Sequence, residues 1–143
     1  MNEYKGIIYF SKALLPFHNQ DLRELMDESP QTNRLVGVTG FLFTRNAYFV
    51  QYLEGEQETV NNLMNKIRAD RRHEVLFHNT RKMTERSFAE WGMLYIEEDL
   101  TMEHLLFVYL KRISTLPGLL NGRQSDDIWK MADQIIHKHL KAS

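Results

Sequence analysis

Residues 36–55, VGVTGFLFTRNAYFVQYLEG, decide the architecture. Val36–Thr44 and Tyr48–Leu53 are rich in β-branched and aromatic residues, and only Arg45-Asn46-Ala47 separates them, so they predict an antiparallel hairpin that Glu54-Gly55 brings to an end. Period-two alternation puts Phe49, Gln51 and Leu53 on one face of the second strand and Tyr48, Val50 and Tyr52 on the other. A carboxamide therefore sits in line with two residues that want burial. Left unpaired it would cost on the order of 1–3 kcal/mol, so it needs hydrogen-bond partners on that face.

Outward from the hairpin, Tyr4–Ser11 predicts a strand with Ile7, Tyr9 and Ser11 on one side and Ile8 and Phe10 on the other. After Pro16 and the capping residue Asn19, Leu22, Leu25 and Met26 recur at helical spacing until Ser29 and Pro30. Glu58–Ala69 carries Val60, Leu63, Met64 and Ile67 on one helical stripe, and Val75–Thr80 and Trp91–Ile96 complete a βαββαββ order. Right-handed crossovers then place both helices on one sheet face, which is a ferredoxin-like α+β sandwich. In that fold the first and third strands are neighbours, and Tyr9 falls beside Gln51. Past Asp99 the pattern becomes helical, with Leu105, Leu106, Val108, Tyr109 and Ile113 in one segment and Ile128, Met131, Ile135 and Ile136 in another; Pro117-Gly118 and Asn121-Gly122 separate them. The expected division is residues 1–98 as the sandwich and 99–143 as a two-helix extension that packs on the sheet, over Ile8, Phe10, Val50 and Tyr52.

Composition narrows the function classes. The 143 residues carry 18 basic and 19 acidic side chains, a net charge of −1, which argues against a broad nucleic-acid-binding face. The absence of cysteine removes disulfides, thiolate metal sites and a cysteine nucleophile. No apolar run is long enough to span a bilayer and the start MNEYKGIIYF lacks the features of a secretory signal, so a cytoplasmic protein is expected. Motifs for phosphate loops, dinucleotide binding, serine hydrolases and zinc proteases are missing. His137 and His139 are two apart on a helical segment and do not share a face, and His73 and His78 supply no ligand set. The run Lys66-Ile67-Arg68-Ala69-Asp70-Arg71-Arg72-His73 reads either as cations complementing a helix C-terminus or as a docking edge where Arg72 offers a planar donor fork and Asp70 an acceptor.

Taken in order, Ile8-Tyr9-Phe10-Ser11, Ser29 and Asn33 leading to Thr39-Gly40, Phe49-Val50-Gln51-Tyr52-Leu53-Glu54-Gly55, then Ile67, Asp70, Arg72 and His73, and Arg86-Ser87-Phe88-Ala89-Glu90-Trp91-Gly92-Met93 form a set over about residues 4–96. That set resembles the BLUF domain, the blue-light sensor that uses flavin. The resemblance implies a non-covalent flavin, FAD before FMN, between the two helices of the sandwich. By residue-wise transfer Asn33 holds the carbonyl and imide edge, with Ser29 and Thr32 beside it. Gln51 contacts N5 and the adjacent carbonyl, and Lys66, Asp70, Arg72 and His73 border the pyrimidine and ribityl side. Lys66 stands where many relatives carry arginine.

The resemblance also implies photochemistry in which Tyr9 gives an electron, its proton moves through Gln51, and recombination leaves a rearranged carboxamide and no net redox change. Trp91 and Met93 are implied as the pair that alternates near Gln51 as the signal reaches the last strand, with plain core packing as their other role. The extension has no cyclase, phosphodiesterase or DNA-reading motif, so the expected output is contact with a protein effector, with a homo-oligomer possible and no enzyme activity, membrane or nucleic acid involved. A light-inert ferredoxin-like binding or assembly module, and a flavin enzyme, are the competing classes; no second constellation places a substrate against a flavin ring.

Overall fold

The computed structural model describes residues 3–14, 37–87, 93–96, 101–116 and 121–142, so the segment expected to form the first helix lies outside the described residues. The chain divides into two compact units, residues 1–96 and 97–143. The first contains β1 (Tyr4–Ala13), β2 (Thr39–Arg45), β3 (Tyr48–Glu56), α1 (Gln57–Ala69), β4 (His73–Met83) and β5 (Met93–Ile96). The five strands form one sheet in the order β4-β1-β3-β2-β5, antiparallel except where β5 runs parallel to β2. Together with the mixed α+β order this is the ferredoxin-like sandwich expected from the sequence.

Alternation organises the sheet. Ile7, Tyr9, Leu42, Phe49 and Leu53 cluster on the inner face with Val38 and with Val60 and Met64 of α1, and Leu63 and Ile67 pack against them half-buried. The opposite face carries Ile8, Phe10, Phe41, Phe43, Val50 and Tyr52, all buried. Between β2 and β3 a tight turn places Asn46 at φ +55°, a left-handed conformation that asparagine tolerates better than most residues. Gly40 is obligatory for another reason: a Cβ there would lie 1.7 Å from the Tyr52 carbonyl oxygen.

Several sequence-based boundaries move: β1 runs on to Ala13, and β2 spans Thr39–Arg45 where Val36–Thr44 was expected. Glu54-Gly55 does not end β3, because Gly55 and Glu56 still pair with Lys5 and Tyr4 of β1. Strand β4 runs from His73 to Met83 and not from Val75 to Thr80; its charged ends look loop-like but remain paired to β1. Gly122 opens a helix and does not separate two.

In the second unit α2 (Thr101–Ser114) and α3 (Gly122–Ala142) form the expected helical pair. Asn121 and Gln124 make a reciprocal cap, Gln124 N–H donating to Asn121 Oδ1 at 2.8 Å and Asn121 N–H to Gln124 Oε1 at 3.1 Å, which satisfies two donors at the start of α3. Within this unit the fully buried Glu103 of α2 accepts from Lys138 of α3 at 2.7 and 3.0 Å, and His139 lies 3.3 Å away. No helix among the described residues is long and apolar enough to cross a membrane.

Candidate functional site

One row across the sheet aligns His78, Tyr9, Gln51, Leu42 and Tyr95 on β4, β1, β3, β2 and β5. At its centre Tyr9 and Gln51 are 0% and 1% exposed, and the Tyr9 hydroxyl donates to Gln51 Oε1. This is the adjacency expected from the ferredoxin-like strand order. Burial, with the nearby Asp70 carboxylate adding to it, pushes the Tyr9 hydroxyl far above its usual ionisation range, so the phenol keeps its proton and acts as donor. With the carbonyl oxygen accepting from Tyr9, the donor end of the carboxamide is its NH2 group. The Tyr9 ring meets Phe49 edge-on at 6.0 Å, and Ile7, Leu53, Val60 and Met64 complete an apolar surround.

The end of α1 is tied to the same face. His73 is buried, 5.3 Å from the Phe49 ring and 6.4 Å from that of Tyr9. Its Nε2 lies 2.8 Å from the Ile67 carbonyl and its Nδ1 2.9 Å from Ser11 Oγ. A carbonyl only accepts, so Nε2 carries the proton and the Ser11 hydroxyl donates to Nδ1. Burial holds the His73 pKa below its usual value, which keeps the ring neutral. The Ile67 carbonyl also accepts from the Asp70 N–H at 3.2 Å, closing the helix.

Asp70 and Arg72 form a forked pair, Nη2 to Oδ2 at 2.7 Å and Nε to Oδ1 at 3.0 Å, with the Arg72 backbone N–H on Oδ1 at 2.9 Å. The guanidinium holds the Asp70 carboxyl below the usual carboxylate range. Arg68 and His78 also touch, and burial together with the charges of Arg68 and Lys5 lowers the His78 pKa. Arg68, Asp70 and His78 border a cleft of about 490 Å³ that Leu14, Arg71, His73 and Val75 also line. Lys66 is exposed on α1.

The described residues thus bring Tyr9, Gln51 and His73 onto one face and set Asp70 and Arg72 at its rim. Met93 begins β5 opposite Gly40 in register. Ser29, Thr32, Asn33 and Trp91 lie outside the described residues. Two partnerships were not anticipated. The parity of Ser11 with Tyr9 put its hydroxyl on that face without naming His73 as its partner, and nothing in the sequence marked Glu54 as a buried hydrogen-bond acceptor. The donor set suits a flat heteroaromatic ring with acceptor atoms along one edge: a buried carboxamide donor at the centre, half-buried Leu63 and Ile67 at the flank, and polar groups at the rim.

Comparison with known proteins agrees with this chemistry. Residues 5–94 match the family model described as BLUF, sensors of blue-light using FAD. The chain is 34% identical over 96 residues to the photoactivated adenylate cyclase subunit beta of Euglena longa, a match that covers 66% of this chain and 11% of that protein. It therefore spans about a tenth of the length of that curated relative. Among solved structures, the photo-activated state of BlsA is similar with a TM-score of 0.69 and 30% identity, covering 93% of this chain and 94% of that one. The dark state of BlrB, a BLUF protein, gives a TM-score of 0.69 with 25% identity, 96% of this chain and 98% of that one.

Proposed function

The chain belongs to the BLUF family of blue-light sensors that use FAD, and from that premise we propose that it is a photoreceptor whose light-responsive pair is Tyr9 and Gln51 and whose output is contact with a protein effector. What supports the reading above all is the Tyr9 hydroxyl donating to the Gln51 carboxamide in a buried, apolar surround. The flavin, when bound, supplies absorption of blue light and an excited-state electron acceptor. Asn33, with Ser29 and Thr32 beside it, would hold its carbonyl and imide edge, Gln51 would contact N5 and the adjacent carbonyl, and Lys66, Asp70, Arg72 and His73 would border the pyrimidine and ribityl side; FAD is preferred to FMN because the family is described by FAD.

In the dark Tyr9 is a neutral phenol. On losing an electron a phenol becomes a strong acid, and the Gln51 carbonyl oxygen is the acceptor already in contact with its proton. Return of electron and proton to Tyr9 restores its composition, while the carboxamide, rotated or tautomerised, keeps a new arrangement. Trp91 and Met93 carry that change into β5, and residues 99–143 present it to the effector, with no reaction catalysed.

The absorption spectrum before and after blue illumination tests the reading. The purified protein is yellow, shifts reversibly to the red in light, and loses the shift in Tyr9→Phe and in Gln51→Leu while keeping its colour. A colourless preparation overturns the proposal in favour of a light-inert binding module, and a shift that survives both substitutions overturns the assignment of Tyr9 and Gln51 as the light-responsive pair.

A further inference from the structure

On the sheet face opposite Tyr9, the end of β3 encloses a carboxylate. Glu54 is 0% exposed, and a buried carboxylate is tolerated only where donors meet it. The Tyr52 hydroxyl donates to Oε1 at 3.0 Å and the backbone N–H of Ser87 to Oε2 at 2.6 Å. Arg81 backs this pair, its Nη2 donating to the Tyr52 hydroxyl at 3.2 Å and its guanidinium lying 5.6 Å from the ring centre. Arg81, Gly6, Glu54 and Thr39 form one row across β4, β1, β3 and β2. Gly6 leaves the space for it, since a Cβ there would lie 2.9 Å from the Tyr52 hydroxyl oxygen. At the end of the row Arg86 donates to Thr39 Oγ1 at 2.9 Å, so Arg86 and Ser87 are both fastened to the sheet.

The placement of this carboxylate has a consequence for β5. Glu54 is three residues along β3 from Gln51, and the chain that leaves Ser87 reaches β5 six residues later at Met93, opposite Gly40. Gly40 in turn pairs with Leu53, the neighbour of Glu54. We infer that Glu54 is a positioning residue: its carboxylate ties Ser87, six residues before β5, to the strand that carries Gln51, and so sets how a rearranged Gln51 relaxes. The inference deepens the photoreceptor reading and rests on it for its spectroscopic half.

The test uses the full flavin-loaded chain with Glu54→Leu, Glu54→Gln and Tyr52→Phe, and two readouts: amide hydrogen exchange at Ser87 in the dark, and the rate of thermal return from the red-shifted state. Removing both acceptors in Glu54→Leu raises Ser87 exchange about tenfold or more and changes the return rate about fivefold or more, with the size of the red shift kept. Glu54→Gln, whose carbonyl still accepts from Ser87, gives about threefold in each. Tyr52→Phe leaves the Ser87 bond in place and stays within about twofold of the parent on both readouts. Unchanged Ser87 exchange in the Glu54 variants, or a parental return rate once Ser87 exchanges freely, overturns the inference; a purely structural glutamate gives the latter. Where Glu54→Leu yields no folded protein, Glu54→Gln decides by the same two readouts. A parent chain without any light shift defeats the photoreceptor reading, and Ser87 exchange still judges the tie.

Discussion

At Tyr9 and Tyr52 the same physical cause acts on two faces of one sheet. Burial raises both phenols, with Asp70 adding to Tyr9 and Glu54 adding to Tyr52, while Arg81 partly offsets the latter. In the unfolded chain a tyrosine ionises near its reference value of about 10, so there the unfolded state releases protons that the folded state keeps. The stability from these two residues is complete below that value and declines as pH rises through it. Urea midpoints measured from pH 8 to 11 fall steeply at the alkaline end, and Tyr9→Phe flattens the fall; an equally steep fall in the variant would remove Tyr9 from the account. Gly40 meets a harder constraint, because the Tyr52 carbonyl oxygen occupies the place of any Cβ and belongs to paired backbone that cannot rotate away. Gly40→Ala forces β2 and β3 apart and costs on the order of 1–3 kcal/mol or more, read as a lower thermal midpoint.

Between α1 and β4 the fold hangs on an imidazole. Neutral His73 joins Ile67 at the helix end to Ser11 on β1, and burial depresses its pKa. Below the unfolded histidine value of about 6.5 the unfolded chain takes up a proton that the folded chain refuses, so stability is full above that pH and falls as pH drops towards the folded pKa. His78, also depressed, falls in the same window. Between pH 7.5 and 5.5 the urea midpoint therefore drops, and His73→Gln reduces the drop without abolishing it; no reduction would mean that His73 is protonated at no cost. Such elements were readable to unequal degrees. The β1 and β3 parities and the α1 stripe follow from apolar periodicity, so the Tyr9–Gln51 contact was legible once strand order was inferred. The ends of β3 and β4 were not, because Glu54, Gly55 and the charges near Arg81 look like turn residues while long-range pairing to β1 holds them in strands. His73 looked like part of a basic rim, since nothing local reveals that Ser11, 62 residues away, completes it.

At the scale of the whole molecule, two units of different character share 143 residues: a sheet whose centre holds a phenol and a carboxamide, and a helix pair stapled by a buried glutamate. The cyclase relative of which this chain spans a tenth joins a similar segment to far more sequence, so what is common to both is the sensing unit. A sensor and an enzyme make opposite demands on redox bookkeeping. In the proposed cycle the electron that leaves Tyr9 returns to it, and the proton follows through Gln51, so nothing is consumed and the stored signal is a conformation of one side chain. The full chain then cycles repeatedly between its dark and light spectra with constant amplitude, in buffer without reductant, substrate or metal, and the light state decays in the dark at a rate independent of added reductant. An amplitude that shrinks with each illumination, or that is sustained only when a reductant is supplied, would show electrons leaving the Tyr9–Gln51 pair for good and would make the chain a flavin-dependent redox protein.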